Sequence, residues 1–169
     1  MNSDPDKKAP VRRISDLTDE QLATFEANYR KRQVRSGGIF SLDELVREKQ
    51  RRLAKQWNIP GLLRVILENR QVGDGLTLYR ELWNVLFPGE AWKGRYSVKI
   101  VMEALDALNR YIVAEGLPLH TILVVNSATR TLRAKAIESL YFRCRELGRE
   151  VGPDVDAFVE RERARALAN

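Results

Sequence analysis

Apolar residues recur at spacings of three and four through most of this chain, and that period predicts helices. The clearest run spans residues 97–114. There Val98, Val101, Met102, Leu105, Leu108 and Ile112 form one stripe, and Lys99, Glu103, Asp106, Asn109 and Arg110 read as the opposite, solvated face. Leu22, Phe25 and Tyr29 mark an earlier helix, opened by a capping box in which Thr18 is followed by Gln21. Gly37 and Gly38 interrupt the chain. Ser41 with Glu44 then forms a second capping box, for a helix that reaches Gln56 with Leu42, Leu45 and Leu53 on a sparse apolar side.

From Asn58 the pattern thickens. Leu62, Leu63, Val65, Ile66 and Leu67 make a helix apolar around much of its circumference, which predicts a central position, and Gly73 and Gly75 end it. Thr77 is the expected N-cap of a short helix with Tyr79, Leu82, Trp83 and Leu86 on one face, stopped by Pro88 and Gly89. Ser97 is expected to cap the long helix, and Gly116 with Pro118 to close it. Residues 121–125, TILVV, are β-branched and bounded by turns, which predicts a strand, and its partner is expected near residues 75–77 because a lone strand leaves its backbone unpaired. Two more helices follow, one over residues 132–147 and one with Pro153 in its first turn, carrying Val155, Phe158 and Val159. The expected fold is a mainly helical α+β domain of about six helices with a small sheet. Its expected divisions are a disordered basic tail (1–14), an N-terminal helical extension (15–57), a core (58–150) and a C-terminal helix (151–169).

Composition narrows the class. Hydrophobic residues make up 44% of the 169 and charged residues 31%, which suits a folded chain with a helix-rich surface and excludes disorder throughout. No apolar run approaches the ~18 residues of a spanning helix, and the first residues lack the apolar core of a signal peptide, so no membrane role and a cytoplasmic location are expected. The net charge of +6 is concentrated early: residues 1–58 hold 13 Lys and Arg against 9 Asp and Glu, whereas the remainder is nearly balanced. A basic arm of that kind suits phosphate contacts.

Candidate chemistry is sparse. Cys144 and His120 are the only residues of their types, so a disulfide or a Cys/His zinc site cannot be assembled within one chain, and neither a metal nor a cofactor is expected. Cys144 shares a helical face with Ile137, Leu140 and Tyr141 and reads as a small core residue. His120 has no orienting partner or nucleophile beside it and reads as a structural or surface residue. Glu103 and Asp106 sit three apart on one face, a spacing that could hold a divalent cation with further ligands but that reads first as a solvated helix face. No phosphate-binding glycine loop, dinucleotide fingerprint or nucleophile elbow occurs, so no enzymatic activity is expected. Trp83 and Trp92 are expected to pack on the core.

The order of elements is itself informative. A short helix, a turn, a long amphipathic helix and an apolar strand succeed one another as in a helix-turn-helix backed by a sheet. The strings GLTLYRELW, VMEALDALNRYIVAEGLP and LHTILVV, within residues 74–126, resemble the winged-helix domain of alkylguanine-DNA alkyltransferases and their alkyltransferase-like relatives, and a similar domain found beside HNH nucleases. The resemblance implies a winged-helix-like centre and DNA binding. Alkyl transfer is not implied: LPLHTILVVNS has no acceptor cysteine where that family carries a Pro-Cys-His string, and one histidine cannot build an HNH site. By the same resemblance the first turn of the long helix meets nucleic acid, which places Lys93, Arg95, Tyr96 and Lys99 at the interface, duplex DNA being the expected partner. Tyr96 also reads as a hydrophobic staple against Val101. The expectation is thus a non-enzymatic nucleic-acid-binding accessory or regulatory protein. The alternative is a protein-interaction module on the same scaffold, meeting its partner through the N-terminal helices.

Overall fold

A computed structural model describes residues 13–132 and 134–168. Among them the chain forms seven α-helices and one two-stranded parallel sheet, a mainly helical α+β fold. It divides into two compact units, one ending at Arg52 and the other beginning at Leu53.

The first unit holds helix α1 (Asp19–Arg32) and most of α2 (Leu42–Gln56). Both expected capping boxes are formed. The Gln21 N–H donates to Thr18 Oγ1 at 3.2 Å while Gln21 Oε1 accepts from the Thr18 N–H, and Ser41 and Glu44 repeat the exchange. Leu17, Leu22, Tyr29 and Leu45 are buried together, with Ile14 and Phe25 packed against them. Ile14, the last residue assigned to the expected tail, opens a 3-10 turn through Asp16, and its side chain packs on this cluster. Residues 1–12 of that tail lie outside the described residues. Glu48, 7% exposed, accepts hydrogen bonds from Arg51 and Arg52, and chiefly the Arg51 bond holds its carboxyl down at about 2.

The second unit is built on α3 (Ile59–Arg70), β1 (Thr77–Leu78), α4 (Tyr79–Leu86), α5 (Arg95–Ala114), β2 (Val124–Val125), α6 (Ala134–Glu146) and α7 (Val155–Ala168). Its core gathers Leu62 and Ile66 of α3, Trp83 of α4, Val101, Leu108 and Ile112 of α5, the 119–124 segment and Phe158 of α7. The expected pairing is present: Thr77 aligns with Val124 and Leu78 with Val125, in parallel. The strand is nevertheless shorter than TILVV suggests. His120–Leu123 coil into a 3-10 turn, in which the His120 N–H donates to the Pro118 carbonyl at 2.8 Å and the Ile122 N–H to that of Leu119 at 3.1 Å. All four side chains of this turn are buried, so packing overrides the β-branched preference and the backbone is satisfied locally.

Other boundaries move for equally local reasons. Thr77 does not cap α4; it lies in β1, its hydroxyl taken by Asn69 at 3.3 Å, and Glu81 instead receives the Leu78 N–H at 2.6 Å. Pro153 stands before α7 and not in its first turn, because Asp154 supplies the cap by accepting the N–H groups of Asp156 and Ala157. α7 is pinned by the fully buried Glu162, which meets Arg149 at 2.6 Å while Arg149 also donates to the Leu117 carbonyl at 2.8 Å. Such a pair stabilises little over an apolar one, but losing either member strands a charge.

Candidate nucleic-acid interface

The first turn of α5 is placed by the loop before it, and the loop by tryptophan. Trp83 is 1% exposed and donates its indole N–H to the Glu90 carbonyl at 3.1 Å. Trp92 packs edge-on against it with ring centroids 6.0 Å apart, so both tryptophans sit against the core as expected. The Lys93 N–H donates to Ser97 Oγ at 2.8 Å, and Gly94 at φ 61° turns the chain into the helix. Few side chains other than glycine adopt that angle without strain. Ser97 is accordingly not the N-cap; it is buried within the first turn of a helix that begins at Arg95 and has no side-chain cap. α5 thus starts with amide groups that no side chain covers, the end of the helix that favours anions.

The four expected interface residues come together here, in different electrostatic states. Arg95 is exposed and makes no ion pair among the described residues. Lys93 is paired with Glu90 at 2.9 Å, and that hydrogen-bonded carboxylate lifts the ammonium above its ordinary value. Lys99 lies 4.0 Å from Glu103 on the same helix. Tyr96 is 56% exposed, with its ring edge-on to Trp83 at 6.4 Å. Three cations with two carboxylates beside them leave a modest positive surface whose strongest point is Arg95.

Further along α5 the sequence reading of the two faces needs correction. Asn109, assigned to the solvated face, is 8% exposed and accepts a hydrogen bond from the Thr121 hydroxyl, whereas Met102, assigned to the buried stripe, is 38% exposed. The 3-10 turn at residues 120–123 is the cause at Asn109, because it sets the buried Thr121 hydroxyl against that side chain. Asp106 is likewise drawn in, receiving Arg143 of α6 at 2.7 Å and Arg110 at 3.1 Å, so the Glu103–Asp106 pair is not a free carboxylate couple. Among the described residues no group of three acidic, His or Cys side chains is placed to hold a metal. Across a cleft from Val98 and Met102 stands Lys135 of α6, exposed and without an ion pair among the described residues. The run TLRAKA carries that cation, but only the packing of α6 brings it near α5.

The two residues first considered for chemistry are both structural in setting. His120 is 5% exposed, and burial, then the nearby Arg70 charge, push its imidazole below the ordinary value. Cys144 is fully buried and its thiol is pushed up to about 11, chiefly by burial, so it is no nucleophile at neutral pH. No family model matches the chain, and neither a curated protein nor a solved structure matches it. No helix among the described residues is long and apolar enough to cross a membrane.

Proposed function

We propose that this chain is a non-enzymatic nucleic-acid-binding protein of accessory or regulatory type, acting in the cytoplasm and holding duplex DNA through its phosphates. The observation that carries the reading is the start of α5: an uncapped helix N-terminus, an unpaired Arg95, and Lys93, Tyr96 and Lys99 around it, on a loop fastened to the core by Trp83. Phosphate oxygens suit both the free amides and the guanidinium. Glu103 confines the contact on α5 to the first turn, whose three cations contribute about −2 to −3 to the logarithmic salt slope, any contact from the basic arm adding to it. The winged-helix resemblance supports the same placement.

Fluorescence anisotropy with generic duplex DNA, titrated with salt, tests it. Arg95→Ala is expected to lower affinity and to flatten the slope by about one. Affinity that ignores salt, or no binding at low salt, defeats the proposal. The rival reading, a protein-interaction module, draws on Val34 and Ile39, exposed at 44% and 71% between α1 and α2.

A further inference from the structure

Two adjoining cavities of about 90 and 260 Å³ lie where α5, β2 and α6 meet, sharing Tyr79, Met102, Ala136 and Ser139 in their walls. Together they reach the low end of small-molecule pockets, about 300–1,000 Å³. The walls are mostly apolar, with Val98, Leu105, Val124 and Leu132 added to the shared residues, and the polar groups include Ser139 in both walls, Asn109 in the first and Lys135 in the second. At the deeper end is the Asn109 carboxamide. Its Oδ1 accepts from the Thr121 hydroxyl, and Nδ2, which has no partner among the described residues, is not sealed into the core but open in the cavity wall. An amide donor open in a mostly apolar wall gives an oxygen acceptor of a ligand a fixed point of contact. The remaining charged groups there, Asp106 and Arg143, are already paired to each other. At the wider end stands Lys135, without an ion pair among the described residues.

We propose that this cavity is a binding site for a small organic acid with an apolar, ring-sized body: the carboxylate at Lys135, the body against Met102, Tyr79 and Ala136, and an oxygen acceptor meeting Asn109 Nδ2. The site is independent of the nucleic-acid reading, because it rests on groups that the proposed phosphate contact does not use.

Calorimetric titration of the full chain with 6-hydroxy-2-naphthoate tests the site. The expected result is saturable one-to-one binding, weakened about fivefold for 2-naphthoate, which lacks the distal oxygen. Lys135→Met, at an exposed position that does not threaten folding, is expected to cost the acid up to about fivefold and to leave binding of neutral 2-naphthol unchanged. Ala136→Trp, with its melt checked alongside, fills the cavity and is expected to abolish binding of all three. Absence of saturable binding by any probe overturns the proposal, as does binding that survives Ala136→Trp in a folded protein or that Lys135→Met affects equally for the acid and the neutral naphthol.

Discussion

At the scale of single residues, the decisive positions are those whose environment a sequence cannot show. The periodicity of α5 assigns Asn109 to water and Met102 to the core, and the structure does the reverse at both, because a helical wheel knows nothing of which neighbour packs on which side. His120 reads from sequence as structural or surface, and the fold buries it. Its burial has a consequence for stability. The imidazole is held below its ordinary value, so the unfolded chain takes up this proton more readily than the folded one. The contribution is therefore complete above about pH 6.5, the unfolded value, and is lost as pH falls from there through the depressed folded value. Urea melts at pH 7.5 and 5.0 check this: the wild type is expected to lose more stability across that interval than His120→Leu, and equal losses would show that the ring protonates in the folded protein at no cost.

At the scale of elements, the helices were largely legible because they are announced by short-range chemistry. Thr18 with Gln21 and Ser41 with Glu44 start their helices as the capping rule requires, and Gly116 ends α5 at the residue expected. Where two local signals competed, the sequence could not rank them. Ser97 and Thr77 are both good caps by type, yet each hydroxyl is taken by a different partner, the Lys93 N–H and the Asn69 amide, and the helices begin elsewhere. TILVV shows the same limit, since burial on every side, which the apolar run does indicate, suits a tight 3-10 turn as well as a strand. The residual strand still matters, because Val124 is 1% exposed and pairs with Thr77 beneath α5. Val124→Asp is expected to destabilise by several kcal/mol, because a carboxylate replaces a buried apolar side chain of the core. A variant with wild-type urea midpoint would mean that the segment opens to solvent and that the core of the second unit is drawn wrongly.

At the scale of the whole molecule, the chain carries two separate apolar clusters, one around Leu22 and Leu45 and one around Leu108 and Phe158, and its charge excess lies early in the sequence. The candidate site was legible only in part: the residue types at 93–99 stand out in sequence, but which cation is free depends on Glu90 and Glu103, whose side chains the fold aims at Lys93 and Lys99. That local neutralisation raises the question of where a DNA contact would find the rest of its charge. Lys7, Lys8 and Arg12 are one reserve of charge in the sequence, in a stretch with no apolar periodicity to bury. Removing residues 1–12 keeps Ile14 and Leu17, the first residues of the buried cluster, and is expected to leave the melting temperature within about 2 °C of wild type. The same deletion should weaken DNA binding and flatten the salt slope by up to about 2.7, close to 0.9 for each of the lost cations that meets a phosphate. Arg95→Ala in the full chain should remove about one unit, and the two changes together should add, since they act on separate phosphates. A slope unchanged by the deletion would confine the contact to α5, whereas a slope that the deletion abolishes would shift the interface to the arm and leave the helix start without the role proposed for it.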